Sequence, residues 1–466
     1  MPVKVVVTAL LVALGASLFL PVPQNLMTWF ENGQSYYAIG EYEYATQEYS
    51  KIIRFRHWAV DVEKIEVAVA DLKLPIKAAA FYQLGSCYKR LKEFDRAVEN
   101  YRMVLNQAKV PDDFRATVQF QIAETRFCQQ KFLKATEEYK NFIASYPESR
   151  FVDKAYFRAG VSLYKAGKYE QAVSIFQELV SKFPESRYAA DAAYQIADSY
   201  AKLNRYEESI SAANNVLDKY ANSAAIAKAE YLKAFCYDKL GDYDKTIEAY
   251  KRVIALYDKM YEILRASFRE GKNVDFDEYI KLYENSFMRI GEIYRDRMGD
   301  YEKAYDAYVL AQETVKERDY KAKIQLDIGH NYLRWKKYDE AIKAYGLVIT
   351  NYPETPYPPD AQSYIGDAYY QAGDLEKARE EYLNVLVKFP DCSTERRAAS
   401  LYNAGWCSER LNQFQEALSY YNRVVEEYPH SQSAPACLVR IGQIFYSQGK
   451  YQEALAEYNK ILDTYP

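Results

Sequence analysis

Residues able to perform acid–base, metal or nucleophilic chemistry are few and scattered in this chain. The three histidines, His57, His330 and His430, are far apart and have no clear ligand partners at metal-site spacing. The acidic pairs at 137–138 and 207–208 fall on helix faces that the pattern predicts to be solvated. The sequence has no Gly-x-Ser-x-Gly, no His-Glu-x-x-His and no glycine-rich phosphate loop. We therefore expect no enzymatic activity, no metal site and no cofactor.

The elements that position the remaining candidate residues follow a pattern that recurs about every 37 residues. A Gly or Ala is followed twelve positions later by Ala, four later by Tyr or Phe, and often eight later by Pro. Gly160, Ala172, Phe176 and Pro184 are one instance. Self-similarity of fixed length indicates stacked supersecondary units. The eleven anchoring small residues are Gly33, Gly85, Ala123, Gly160, Ala197, Ala234, Gly291, Gly329, Gly366, Gly405 and Gly442.

Each unit has the pattern of two helices. In the fourth copy, apolar residues fall at i, i+3, i+4 and i+7 on both sides of a break at 166–168. Gly167 fits the end of the first helix because it tolerates a left-handed conformation. Pro184 ends the second helix, since the residue before a proline is disfavoured in the α region.

These residues resemble the tetratricopeptide repeat, whose pattern is Trp/Tyr, Leu-Gly, Tyr, then Ala, Phe/Tyr and Pro. The resemblance covers nearly everything from Trp29 to Pro466. It implies an all-α, right-handed superhelical solenoid of about eleven helix–turn–helix units. The long period, with its Tyr/Phe-Pro-x-Ser linkers, is similar to repeats of bacterial cell-envelope proteins of the Tol–Pal coordinator and outer-membrane assembly lipoprotein types.

Some copies depart from the pattern. Ser209 and Thr246 replace the mid-repeat Ala, and Ala213 replaces the aromatic residue. The seventh copy carries one extra residue near Met298. We interpret these departures as variants that the fold tolerates.

Two insertions interrupt the array, near 54–77 and near 258–284. Insertions in repeat arrays tend to map to loops on one face, often the binding face. The first contains a basic-aromatic cluster formed by Arg54, Arg56, His57 and Trp58. It is either a docking loop or a helix end that covers the first repeat. The second insertion reads as an extension of the preceding helix to Arg269.

The N-terminal segment 1–23 combines Lys4 with an apolar run from Val5 to Leu20 and a Pro-Val-Pro end. Sixteen residues are short for a membrane-spanning helix, which needs about 20. A secretory signal peptide, an uncleaved anchor and a cytoplasmic hydrophobic start all remain open. The first two place the repeats, 24–466, outside the cytoplasm, in the periplasm or cell envelope. No cysteine lies near this segment, so a lipoprotein route is not supported.

The resemblance implies that the first helix of each unit lines a concave binding face. Side chains three before and one after the small residue then point inward. The chain offers there a ladder of aromatic residues interrupted by acids, which favours partner segments carrying Lys or Arg. Each aromatic residue has the alternative role of packing against the next repeat. The predicted partner-binding residues are Phe157, Tyr194, Asp198, Tyr231, Phe235, Glu292, His330, Asp367, Tyr402 and Trp406.

Solenoid surfaces of this kind usually bind other proteins, so the expected function is a scaffold or adaptor. With 61 basic and 65 acidic residues and no block of like charge, nucleic-acid binding is not expected. One alternative is self-assembly through an uncapped C-terminal end containing Leu455, Tyr458 and Ile461. Another is a substrate-recruiting arm of an enzyme whose catalytic domain lies beyond Pro466.

Overall fold

The computed structural model describes residues 22–56, 62–69, 72–269 and 276–464. The predicted N-terminal signal or anchor therefore falls almost entirely outside the described residues. Within the described part, no helix combines the length and apolar character needed to cross a membrane. The α-helices of these residues are α1 Val22–Ala38, α2 Tyr42–Arg54, α3 Ile76–Arg90, α4 Phe94–Leu105, α5 Asp112–Cys128, α6 Phe132–Ser145, α7 Val152–Lys165, α8 Tyr169–Lys182, α9 Ala189–Lys202, α10 Tyr206–Lys219, α11 Ala225–Leu240, α12 Tyr243–Ala255, α13 Tyr257–Arg269, α14 Phe276–Glu292, α15 Tyr301–Thr314, α16 Arg318–Arg334, α17 Tyr338–Asn351, α18 Pro358–Ala372, α19 Leu375–Lys388, α20 Thr394–Arg410, α21 Phe414–Glu427, α22 Ser433–Ser447 and α23 Tyr451–Thr464.

The chain divides into two compact units at Cys236 and Tyr237. The first unit contains five antiparallel helix pairs, from α1/α2 to α9/α10, and the second contains five more, from α14/α15 to α22/α23. The helices α11 and α12 are those of the sixth predicted copy. The predicted repeat solenoid and its eleven copies are thus confirmed.

In the pairs whose small residue is glycine, the aromatic ring of the second helix lies over that glycine of the first helix. At Gly366, an added Cβ would lie 2.7 Å from Cδ1 of Tyr382. Real side chains do not approach this closely, so a Cβ at this position would displace the ring. The glycine thereby sets how deeply Tyr382 enters the space between its helices.

The turns around the later repeats are fixed by their own residues. α18 begins with two prolines and ends at Gly373, whose φ of +88° favours glycine. α19 is capped by Asp374, whose side chain accepts a hydrogen bond from the backbone N–H of Lys377 at 3.2 Å. Ser393 caps α20 in the same way, accepting from the N–H of Arg396 at 3.2 Å. These caps hold the three helices that form the site described below.

The extra residue of the seventh copy is absorbed by a π-helix, Ile293–Met298, that continues α14. Wider i→i+5 turns accommodate one additional residue without breaking the helix. Tyr308 consequently still lies over Gly291, where a Cβ added to the glycine would clash with the tyrosine ring. The interpretation of this departure as tolerated is confirmed.

The first insertion corrects the expectation of a purely helical chain. It contains an antiparallel hairpin, β1 Glu66–Val69 and β2 Leu72–Pro75, after a short 3-10 turn at Val62–Lys64. The alternation of Glu-Val-Ala-Val buries one face of β1, which is typical of a strand. Val67 and Leu74 join the same hydrophobic cluster as Leu26 of the first helix. This part of the insertion covers the first repeat; His57 and Trp58 lie outside the described residues.

The second insertion is a separate helix rather than an extension of α12. α12 ends at Ala255 and is followed by its C-cap residue, Leu256. A new helix, α13, begins at Tyr257 and ends at Arg269, which is the end that was predicted. Tyr257 stacks on Tyr283 of α14 with ring centroids 4.0 Å apart. This contact anchors the start of α13, because aromatic stacking adds to the burial of both rings.

Candidate functional site

All ten predicted partner-binding residues lie on the first helix of their repeat, and they divide equally between the two units. Nine are half-buried and Phe235 is exposed, so each retains some accessible surface. Those in the first unit are Phe157, Tyr194, Asp198, Tyr231 and Phe235. Those in the second unit are Glu292, His330, Asp367, Tyr402 and Trp406.

Several predicted aromatic residues pack against neighbouring rings. Phe157 stacks on Tyr188, at the entry to the next repeat, with centroids 5.2 Å apart and planes 20° from parallel. Tyr402 lies 5.8 Å from Tyr421 of its own repeat. The alternative of packing against the next repeat is therefore the one seen for Phe157.

The predicted acids are already engaged by side chains of the chain itself. Glu292 forms an ion pair with Arg289 at 2.7 Å. Asp198 accepts a hydrogen bond from the Tyr164 hydroxyl, and Asp367 accepts one from the Tyr382 hydroxyl at 2.6 Å. The donor to each of the two aspartates is a neutral hydroxyl rather than a cation.

Three of the predicted residues meet in one cavity of about 260 Å³ in the second unit, between the ninth and tenth repeats. Sequence reasoning identified half of its wall and missed the other half. The lining residues are Asp367, Tyr370, Tyr382, Tyr402, Asn403 and Trp406.

The wall of the cavity is held by hydrogen bonds and ring contacts. The indole N–H of Trp406 donates to the Tyr370 hydroxyl at 2.8 Å, which joins α20 to α18. The guanidinium of Arg440 lies 4.2 Å from the centroid of the Trp406 ring, a cation–π contact. The indole is thus fixed both at its edge and on one face.

Burial dominates the electrostatics of the carboxylate in this cavity. It raises the pKa of Asp367, and the Tyr382 hydrogen bond and the charges of Arg396 and His330 oppose this rise without cancelling it. Burial also raises the pKa of the Tyr382 hydroxyl, as does the negative charge of Asp367. A donor that carries positive charge would therefore stabilise the ionised carboxylate.

Sequence reasoning missed Tyr382 because it treated the repeat aromatic only as a packing residue. In the fourth copy that position holds Phe176, which hides the role of the hydroxyl. It missed Asn403 because the position two before the small residue was not considered. The signal was present, since that position holds Arg158 in the fourth copy and Arg440 in the last.

Comparison with known protein families gives matches in two parts of the chain. Models of the tetratricopeptide repeat match residues 322–355, 359–429 and 409–466. The chain therefore contains tetratricopeptide repeats between residues 322 and 466. Residues 76–262 match the YfiO family model, described as an outer membrane lipoprotein. The combination supports a protein–protein interaction scaffold.

Solved structures similar to the chain are distant in sequence. The C-terminal part of a TPR repeat-containing protein from Cytophaga hutchinsonii is 16% identical, with a TM-score of 0.42, over 60% of this chain and 99% of that one. The apo form of RapI is 12% identical, with a TM-score of 0.42, over 75% and 98% of the two chains. MamA is 17% identical, with a TM-score of 0.29, over 38% and 94%. Comparison with curated proteins gave no match.

Proposed function

We propose that the protein is a non-enzymatic scaffold at a bacterial cell envelope that binds segments of other proteins along the first-helix faces of its repeats. The observation that carries this proposal is the cavity between the ninth and tenth repeats, which joins Asp367, Tyr402 and Trp406. Aromatic residues provide much of the binding energy of protein interfaces when a partner buries them. The cavity offers such rings beside a carboxylate.

The envelope location is supported by two independent features. One is the match of residues 76–262 to an outer membrane lipoprotein family. The other is the apolar run from Val5 to Leu20 in the sequence. Protease treatment of intact and of permeabilised spheroplasts tests the location. Cleavage of the repeats in intact spheroplasts is expected; protection until the inner membrane is permeabilised would place them in the cytoplasm.

Site-specific photo-crosslinking in native cells tests the scaffold. A benzoylphenylalanine replaces Tyr402, where it preserves an aromatic ring at the cavity. A matched probe replaces Val387, which is 76% exposed on α19 of the ninth repeat. We expect a different protein to be crosslinked from position 402 and not from 387. The same products from both positions, or none from 402, would contradict the proposed binding face.

A second candidate function, self-association, is favoured by the last repeat. Leu455 is 54% and Leu462 is 76% exposed on α23, and Tyr446 and Tyr451 are exposed beside them. Sedimentation velocity over a wide concentration range tests this candidate. Growth that Leu455→Asp and Leu462→Asp abolish would support self-association, whereas a monomer at every concentration would exclude it.

A further inference from the structure

The chain contains a complete three-part carboxylate site between its third and fourth repeats. Glu124 accepts a hydrogen bond from the Tyr139 hydroxyl of its own repeat. The guanidinium of Arg158, in the next repeat, donates to both carboxylate oxygens, at 2.8 and 2.9 Å. Forked guanidinium–carboxylate bonding of this kind is both strong and directional.

The tenth and eleventh repeats form a second site of the same composition. Glu409 accepts a hydrogen bond from the Tyr421 hydroxyl at 3.0 Å. Nε of Arg440 donates to the same carboxylate at 3.0 Å, and Nη2 donates to its other oxygen. Arg158 and Arg440 occupy the same repeat position, two before the small residue of their repeat. In both sites a guanidinium from this position reaches an acid of the preceding repeat, although Glu409 lies four after its small residue and Glu124 one after. Arg289 occupies the same position in the seventh repeat but pairs with Glu292 of its own repeat.

The cavity between the ninth and tenth repeats contains the carboxylate and the tyrosine hydroxyl of such a site but lacks the guanidinium. Oδ1 of Asp367 accepts a hydrogen bond from the Tyr382 hydroxyl, and no described residue donates one to Oδ2. The position of Arg158 and Arg440 is occupied here by Asn403, which lines the cavity and whose side chain forms no hydrogen bond with another described residue. The nearby Arg396 is bound to Asp360.

We infer that an arginine side chain of a partner protein enters this cavity and supplies the missing guanidinium to Asp367. This inference rests on the proposed scaffold function and names the chemistry of the segment that is bound. An aspartate extends one methylene less than a glutamate, so the ligand must reach into the cavity, as a long arginine side chain does. The rings of Tyr402 and Tyr370 provide apolar contacts for its stem, and the planar head matches the carboxylate.

The full chain with ¹⁵N-labelled tryptophan provides the test. The indole N–H signal of Trp406, assigned through Trp406→Phe, reports on the cavity because that group donates to Tyr370. N-acetyl-argininamide is the probe and N-acetyl-glutaminamide is its uncharged control. We expect a saturable shift with the first and none with the second. Absence of a saturable shift with N-acetyl-argininamide overturns the inference.

Two variants make the test specific. Asp367→Asn keeps the shape but removes the charge and should weaken binding by about ten-fold or more, as expected for loss of a charge-assisted hydrogen bond. Asn403→Arg should abolish binding because the chain then supplies its own guanidinium. Val387→Arg adds the same charge outside the cavity and should leave binding unchanged. Equal binding in Asp367→Asn or Asn403→Arg would overturn the inference.

Further measurements distinguish an arginine ligand from a lysine ligand, and distinguish failure of the cavity assignment from failure of the scaffold proposal. N-acetyl-lysinamide should bind more weakly, because an ammonium lacks the fork; equal affinity would overturn the assignment to arginine. A thermal midpoint of Asn403→Arg at or above that of the wild type shows that its loss of binding is not unfolding. If Asp367→Asn still crosslinks the same partner from Tyr402, the cavity assignment fails while the scaffold stands. If the wild type crosslinks no partner, the scaffold itself fails.

Discussion

Glu124 in the first unit and Asp367 in the second unit occupy the same repeat position, one after the small residue. Each accepts a hydrogen bond from the tyrosine sixteen residues after that small residue. The sites differ in the group that the next repeat contributes, which is Arg158 in one and Asn403 in the other. The residue that differs lies 34 positions after Glu124 and 36 positions after Asp367. It decides whether the carboxylate is bound by a side chain of the next repeat or is available to a ligand.

The difference is visible in the proton affinity of the two acids. Burial acts to raise both pKa values. At Glu124, the hydrogen bonds from Arg158 and Tyr139 and the charge of Arg158 outweigh burial, so its pKa lies below the usual value. At Asp367, burial wins and the pKa lies above the usual value. The ionised form is therefore stabilised in the first site and costs free energy in the second.

The largest expected effect is the conversion of the complete site into an incomplete one. Arg158→Met keeps the apolar stem but leaves the Glu124 carboxylate with only the Tyr139 hydroxyl. Arg158 is 29% and Glu124 is 12% exposed, so the pair is partly screened. We expect the free energy of local opening to fall by about 2 kcal/mol, which is less than the loss caused by breaking a fully buried ion pair. Hydrogen exchange of the α5 and α7 amides, which reports local opening, measures it. Unchanged protection would show that Arg158 does not stabilise this site.

The reverse conversion should have a smaller effect of opposite sign. Asn403→Arg places a guanidinium beside Asp367 and should stabilise the second unit by about 1 kcal/mol, the net worth of a hydrogen bond. Exchange of the α18 and α20 amides reports the change. The gain should vanish when Asp367→Asn is also present, because the coupling of the double mutant isolates the pair. A gain that survives in the double variant would assign it to another contact.

The pH dependence of the two acids should have opposite signs. The pKa of Glu124 is lower in the folded state than in the unfolded state. Its contribution to folding stability is therefore present above the unfolded-state pKa of about 4.3 and is lost as pH falls through the folded-state pKa. The folded-state pKa of Asp367 is raised, so its contribution is present below about 3.9 and is lost as pH rises through the folded value.

Variants matched in shape reveal these signs. Glu124→Gln should destabilise the protein most near neutral pH, and its difference from the wild type should shrink in acid. Asp367→Asn should stabilise the protein, and its difference from the wild type should grow from acid to neutral pH. Urea unfolding of each variant beside the wild type, across that range, measures both differences. If the two stability differences changed with pH in the same direction, the two sites would be electrostatically alike.

The comparison also shows how far the sequence leads. The resemblance to the repeat family predicted that Asp367, Tyr402 and Trp406 share one face, and the repeat period gave their positions in the ninth and tenth copies. The period did not reveal the role of Asn403, since its meaning depends on the residue one repeat earlier. The strands β1 and β2 were missed because an insertion has no copy elsewhere in the array with which to compare it.

The smallest expected effect tests whether any inter-repeat arginine behaves like Arg158. Arg102 of the second repeat binds Glu138 of the third at 3.0 Å, again as an arginine–glutamate pair between neighbouring repeats. Arg102 is 58% exposed, although Glu138 is only 15% exposed, so water competes for the guanidinium and the pair holds a long side chain at an entropic cost. Glu138 also keeps a hydrogen bond from Gln119 at 2.8 Å when the arginine is lost. We therefore expect Arg102→Met to change the free energy of unfolding by less than about 0.5 kcal/mol, measured in urea beside Arg158→Met. A loss as large as that of Arg158→Met would mean that the link between repeats, rather than the partly buried three-part site, carries the stability.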